Sequence, residues 1–341
     1  RNLVLLIIDG LGDRYLERAG AGGALHSRRK AAITSVFPST TASAITTSYT
    51  GWAPLEHGLT GWFTLFGAAG CVGAPLPFLR RGGEKSPLGV APERVYRAGS
   101  LFDGLRRRAI VVSHRAIINS TYNLHHCGSA ERRAYDKLDG LVEQTVAAVK
   151  SSSEPKFVYA YWPEFDALSH RYGNGSAEAR AQFGAVDAAF GELMTRLAGT
   201  DTLVVATADH GFVDSVGADA LDFADAPVLS GLLRYPLCGE SRIALCHVQE
   251  GRVREFTERA RDWLGERARV CASAELVDEG WFGGGDAHPR LAERVGEVAL
   301  LMHGKATVKD WTPGEPRHRH VGHHGGASED EMLIPLIVGS A

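Results

Sequence analysis

Three short apolar runs, each leading into acidic or imidazole side chains, constrain this chain more than any other feature. Leu3-Val4-Leu5-Leu6-Ile7-Ile8 runs into Asp9-Gly10, and Phe157-Val158-Tyr159-Ala160-Tyr161 into a segment carrying Asp166 and His170. Leu203-Val204-Val205-Ala206-Thr207 is followed, after Ala208, by Asp209-His210-Gly211. Runs of this length, rich in β-branched and aromatic residues and without alternation, read as strands buried on both faces. Ala109 to Val112 reads as a fourth strand of the same sheet. Helical patterns lie between them. Phe183, Val186, Phe190, Leu193 and Leu197 recur in steps of three and four, and Ala130 to Lys150 is expected to be helical as well. Strands alternating with helices predict an α/β fold, a mostly parallel central sheet with helices on both faces.

Residues of roughly 230–305 have another texture: a strand at Arg242 to Val248, an amphipathic helix at Glu255 to Gly265, a strand around Arg269 to Ala272, then the loop Gly283-Gly284-Gly285. They predict a small αβ subdomain, cap-like, inserted into one catalytic α/β domain that spans 1–341. The Gly- and Pro-rich stretch from Gly67 to Pro92 is expected to be a long surface loop. A net charge of −3 and the lack of a basic stripe argue against a nucleic-acid polymer as partner, and Arg106-Arg107-Arg108 reads as a solvated helix face. No apolar stretch approaches the roughly 20 residues that span a bilayer. No signal-peptide pattern is visible, which slightly favours the cytoplasm, but the first residue is Arg rather than Met and the compartment stays open. Cys71, Cys127, Cys238, Cys246 and Cys271 are scattered, without a CxxC pair, and read as buried free thiols.

The chemistry lies at the ends of the strands, because ligands of open α/β sheets bind beyond the carboxyl ends. Each piece has an ordinary reading. Asp-Gly after a strand makes a turn, Asp166 and His170 at i, i+4 make a helix surface pair, and Val321-Gly322-His323-His324-Gly325-Gly326 makes a polar turn. Together with Asp209 and His210 they supply three aspartates and three histidines. That is too many for one tetrahedral zinc with an open position, and enough for two ions with three protein ligands each. After Pro38, the run from Thr41 to Thr50 reads as a helix ending at Gly51. Thr41 at its start is either an N-cap or a hydroxyl held where helix amides attract a phosphate. The ligand set favours the second reading, since a bound metal activates a weak alcohol nucleophile.

In order along the chain, IIDG, FPSTT…TGxxPxEHG, FDxxxHxxG, ADHG and GHHG resemble the alkaline phosphatase superfamily, in particular its nucleotide pyrophosphatase/phosphodiesterase branch. The resemblance runs from Asp9 to His324 and implies an alkaline phosphatase-like fold. It implies Thr41, rather than Thr40, as nucleophile. It implies one metal on Asp166, His170 and His324, and another on Asp9, Thr41, Asp209 and His210. One position departs from the pattern: Trp62 stands where diesterase relatives carry an Asn whose amide holds a phosphate oxygen. Loss of such a donor costs on the order of 2.7–4 kcal/mol of transition-state stabilisation unless another group, such as the Trp62 indole, a backbone amide or Thr60, replaces it.

The expected function is metal-dependent hydrolysis of a small phosphate ester, of the phosphodiesterase or nucleotide pyrophosphatase type, through a phosphothreonine on Thr41. The ions expected are two, zinc first, with manganese or iron tolerated by the same ligands. Tyr161 and Trp62 are candidate substrate contacts, Tyr161 by stacking on a nucleobase, with core packing as its ordinary alternative. Trp52 and Phe63 read as packing residues and His57 as structural. The alternatives are a phosphomonoesterase or phosphonate hydrolase on the same framework, a phosphoryl transferase or mutase, and a non-catalytic metal-binding homologue.

Overall fold

The computed structural model describes residues 1–82, 85–317 and 320–341. The chain divides into two compact units, one of Arg1–Ser35, Gly99–Phe212 and Glu329–Ala341, the other of Val36–Ala98 and Val213–Ser328.

The first unit is built on a seven-stranded sheet. In order across it the strands are Arg29–Thr34, Leu333–Ser340, Thr202–Thr207, Asn2–Ile8, Lys156–Trp162, Arg108–His114 and Glu131–Tyr135. The five from Thr202–Thr207 to Glu131–Tyr135 are mutually parallel, and Leu333–Ser340 runs antiparallel to both its neighbours. All four strands expected from the apolar runs are present. Val4, Leu6, Ile8, Val158, Ala160, Val204 and Ala206 join helix residues Val142, Val146, Phe183, Val186 and Phe190 in one buried cluster. Each large aliphatic or aromatic side chain among them contributes about 1.5–3 kcal/mol by leaving water, and a one-residue slip of a central strand would turn its alternate buried residues out of this cluster.

Two local expectations need correction here. The segment expected to be helical from Ala130 begins with the strand Glu131–Tyr135, and only Leu138–Lys150 is helix. Pairing in register with Arg108–His114 overrides the helical propensity of Glu-Arg-Arg-Ala. Arg106-Arg107-Arg108 is exposed, as expected for solvated charge, but it leads into a strand rather than lying on a helix.

The second unit contains a four-stranded antiparallel sheet in the order Cys238–Glu240, Ile243–Cys246, Val298–Met302, Ala268–Ala272. The amphipathic helix Val253–Leu264 packs Phe256, Ala260 and Leu264 into the apolar cluster of that sheet. The strands Ile243–Cys246 and Ala268–Ala272 and the helix are those expected over 230–305, whereas Cys238–Glu240 and Val298–Met302 were not expected, and Val36–Ala98 belongs to the same unit. Gly67 to Pro92 is not one long loop. It includes Cys71–Ala74, which pairs with Thr64–Phe66 on one side and with Leu79–Arg80 on the other in a three-stranded antiparallel sheet, and Val72, Ala74 and Phe78 are buried there. The glycines and prolines there punctuate short strands. Among the described residues no helix is long and apolar enough to cross a membrane, all five cysteines are free, and four of them are buried.

Candidate active site

In the first unit, three strand ends bring their chemistry to one rim. Asp9 follows Asn2–Ile8 directly and is buried, its amide donating to the Trp162 carbonyl of the adjacent strand at 2.9 Å. The chain then turns at Gly10 with φ of 77°, where a Cβ would lie 2.5 Å from the Phe212 ring and 3.3 Å from the Asp166 Cα. Only glycine makes this turn without moving either neighbour. The Gly10 amide donates to Asp209 Oδ1 at 3.0 Å and the His210 amide to the same oxygen at 3.1 Å. The turn that follows one strand thereby orients the carboxylate that follows the next.

His210 Nδ1 donates to the Gly211 carbonyl at 3.1 Å, which places the ring's lone pair on Nε2. That nitrogen lies 3.3 Å from Asp9 Oδ1, 3.5 Å from Asp209 Oδ2 and 3.9 Å from Asp166 Oδ1. Asp9, Asp209 and His210 are all buried and each offers one ligand atom, the three lying within 4.8 Å of one another. Asp9 Oδ1 and Asp209 Oδ2 have no hydrogen-bond donor among the described residues. Buried carboxylate oxygens without donors are costly unless a cation completes them. Burial, followed by the charges of Asp166 and Asp209, raises the Asp9 carboxyl well above its ordinary range. A divalent ion would reverse that balance, so the residues present fit one.

Asp166 and His170 stand one turn apart on the helix Glu164–Tyr172, with His170 Nε2 3.4 Å from Asp166 Oδ1. The Phe212 ring meets the edges of both His170 and His210, with centroids 5.0 and 5.5 Å away, and limits how the imidazoles tilt. Tyr161 is buried, and its hydroxyl donates to Asp9 Oδ2. Its phenol is raised well above the ordinary value, first by burial and then by Asp9 and Asp209. The hydroxyl therefore keeps its proton and acts as a donor.

The second unit carries Thr41, Trp62 and His324. The helix Thr41–Thr50 forms as expected and ends at Gly51 in the left-handed region, φ 75°. Its N-cap is Thr40, in extended conformation and without a side-chain cap bond, so Thr41 is the first helical residue and not the cap. Ser39 Oγ donates to the Gly326 carbonyl at 2.8 Å, and His324 Nδ1 donates to the Ser39 carbonyl at 3.2 Å. The segment before the nucleophile candidate is thus fastened to the GHHGG segment, and the lone pair of His324 falls on Nε2. Trp62 is 39% exposed.

His57 is buried and structural in its contacts. Its Nδ1 accepts from the Leu59 amide at 3.1 Å and its Nε2 meets Thr47 Oγ1 at 3.2 Å. The buried Arg294 also holds this turn, donating to the Gly58 and Val95 carbonyls at 2.8 and 2.9 Å. Phe63 lies under the Arg81 guanidinium at 4.3 Å and Trp52 under that of Arg97 at 5.4 Å. Thr60 is buried, and its hydroxyl has no hydrogen-bond partner among the described residues.

One participant was not legible beforehand. Glu240 accepts the Thr40 hydroxyl at 2.5 Å and the Trp62 amide at 2.7 Å on a single oxygen. No motif marks it, and its role depends on pairing between segments about 180–200 residues apart in sequence, as those two bonds show.

No curated protein sequence matches the chain significantly. Among solved structures, an inactive form of murine ectonucleotide pyrophosphatase/phosphodiesterase 5 in complex with AMP is 15% identical, with a TM-score of 0.75 over 98% of this chain and 87% of the other. The human protein of the same name is 15% identical, with a TM-score of 0.74 over 99% of this chain and 87% of the other. Phosphonoacetate hydrolase from Sinorhizobium meliloti, in complex with phosphonoacetate, is 18% identical, with a TM-score of 0.70 over 99% and 89%. These likenesses establish the fold. Residues 3–327 match the type I phosphodiesterase/nucleotide pyrophosphatase family, and the chain belongs to that family of phosphoric ester hydrolases.

Proposed function

We propose that this protein hydrolyses a small phosphodiester or nucleotide pyrophosphate in two displacements, with Thr41 as nucleophile. The observation that carries the reading is the convergence of Asp9, Asp209 and His210, with two buried carboxylate oxygens lacking any hydrogen-bond donor among the described residues. By the family motif, Thr41 would join that ligand set and Asp166, His170 and His324 would be the ligands of a second ion. The mixed oxygen and nitrogen donors suit zinc, with manganese or iron tolerated. Two bound ions would supply Lewis-acid polarisation of the phosphoryl group and favour the deprotonated form of the attacking hydroxyl.

The chain's own residues do the rest. Thr41 Oγ forms a bond to phosphorus as the bond from phosphorus to the leaving oxygen breaks, giving a phosphothreonine and releasing an alcohol or a nucleotide. Water then attacks the same phosphorus, the bond to Thr41 Oγ breaks, and the hydroxyl is restored. Amides of the first turn of the helix Thr41–Thr50 favour the phosphoryl oxygens there. The Nδ1 bonds of His210 and His324 to backbone carbonyls hold each ring in one tautomer. Tyr161 holds Asp9 by donating to the oxygen not shared with His210. Trp62, partly exposed where relatives carry an amide donor, is the side chain available to meet the substrate's organic part.

The test is hydrolysis of bis-p-nitrophenyl phosphate, p-nitrophenyl phosphate and phosphonoacetate by the wild type and Thr41→Ala, each with zinc or manganese. Thr41-dependent turnover favouring the diester supports the reading. Preference for the monoester or the phosphonate moves the assignment to those chemistries. Turnover unaffected by Thr41→Ala removes the covalent mechanism.

A further inference from the structure

Glu240 ends the strand Cys238–Glu240, and three segments distant in sequence meet on it and its two neighbours. Its Oε1 takes the Thr40 hydroxyl and the Trp62 amide. One residue earlier, the Gly239 amide donates to the Phe63 carbonyl at 2.7 Å and the Phe63 amide returns to the Gly239 carbonyl at 3.2 Å. The two backbones approach so closely that a Cβ on Gly61 would lie 2.5 Å from the Gly239 Cα. One residue later, Ser241 Oγ meets His323 Nδ1 at 2.8 Å, and a Cβ on Gly325 would lie 2.5 Å from the Glu240 Cβ. Thr40 precedes the nucleophile candidate, Trp62 stands where diesterase relatives carry an Asn, and His323 and Gly325 flank His324.

A carboxylate is an expensive choice for this joint. Burial pushes the Glu240 carboxyl up to about 7 against the two bonds that lower it. Glutamine would accept the same two bonds without the desolvation penalty. An ionised acceptor makes shorter and stronger bonds, however, and holds its donors more tightly. At a nucleophile that tightness matters, since a misplacement of about 1 Å can cost about 100-fold in rate.

Resting on the reading of Thr41 as nucleophile, we propose that Glu240 is its positioning residue, fixing the turn into the Thr41 helix and the Trp62 backbone through one shared oxygen. Glu240 touches no reacting atom in this role.

The experiment uses the full chain loaded with zinc, with bis-p-nitrophenyl phosphate as substrate and amide hydrogen exchange over residues 59–66 measured without it. Glu240→Ala is expected to lower kcat about 10–100-fold with KM changed less than about threefold, since geometry rather than binding is lost. Glu240→Gln recovers most of that loss because its oxygen accepts both donors. Exchange over the Trp62 segment quickens in Glu240→Ala and stays slow in Glu240→Gln. Thr40→Val lowers kcat in the same direction, and its effect does not add to that of Glu240→Ala. Glu240→Ala with kcat within threefold of wild type, or with unchanged exchange, overturns the proposal, and so do equal losses in the Ala and Gln variants. If Glu240→Ala does not fold, Thr40→Val decides, and wild-type kcat there overturns it. A wild type without Thr41-dependent turnover defeats the catalytic reading instead, while the exchange data still judge whether Glu240 holds this joint.

Discussion

Asp9 directly follows, and Asp209 lies two residues beyond, two hydrogen-bonded parallel strands, so backbone pairing places their carboxylates before any side chain intervenes. Thr41, by contrast, opens a ten-residue helix whose approach is fastened by side chains and single backbone bonds, from Ser39 to Gly326, His324 to Ser39, and Thr40 to Glu240. The first arrangement draws its precision from paired parallel backbones and the apolar cluster packed on one face of their sheet. The second draws it from a few polar ties, each worth about 0.5–3 kcal/mol. Ligand geometry in the first unit should therefore resist substitution of its surroundings better than the nucleophile segment in the second.

The largest test removes the proposed nucleophile. Thr41→Ala is expected to lower turnover by at least about 1,000-fold while leaving metal content and melting temperature near wild type, because the hydroxyl is spent in the reaction rather than in packing. Metal content far below wild type would show that the Thr41 hydroxyl is needed to hold a metal as well as to attack. Next in size, Asp209→Asn should weaken metal affinity by about 100-fold or more in competition with a chelator. It should cost little stability in the metal-free protein, because it removes one of three crowded carboxylates. A variant that binds metal normally would exclude Asp209 as a ligand.

Tyr161→Phe is expected to act more mildly, lowering metal affinity or kcat about 10-fold, since it deletes only the donor that holds Asp9. If the ring serves as a stacking platform instead, the loss will appear in KM for nucleotide substrates and leave metal affinity unchanged. The smallest effect concerns stability against pH. The Glu240 carboxyl is raised from 4.5 to about 7, so the folded state binds the proton more tightly than the unfolded state. Its penalty is absent below about pH 4.5 and grows as pH rises toward 7. Glu240→Gln should then melt at the wild-type temperature near pH 4.5 and above it at pH 8, by an amount worth about 1–3 kcal/mol. A gap that does not widen with pH would mean that the carboxyl is ionised at ordinary cost.

Local pattern carried the reading furthest where it was strongest. The run Leu3 to Ile8 with Asp9 behind it, the pair Asp166 and His170 four residues apart, and the helix from Thr41 to Gly51 all depend on neighbours in the chain, and all appear as expected. The failures share one cause. Glu131–Tyr135 reads as helix by composition, yet edge pairing to Arg108–His114 makes it a strand. Cys71–Ala74 and Leu79–Arg80 are too short to announce themselves among glycines and prolines until they pair with each other and Cys71–Ala74 pairs with Thr64–Phe66.

Taken alone, the sequence determined the α/β class, the order of the motif segments and the candidate metal ligands and nucleophile. These depend on residue type and short-range periodicity, both of which a linear chain displays. Only the tertiary structure decided that Tyr161 serves Asp9 with its hydroxyl, that Thr40 caps no helix amide, and that Glu240 joins the nucleophile segment to Trp62. Those outcomes depend on which donors and acceptors folding leaves unsatisfied in a low-dielectric interior. Such groups find partners across long stretches of sequence, and no local pattern records the pairing.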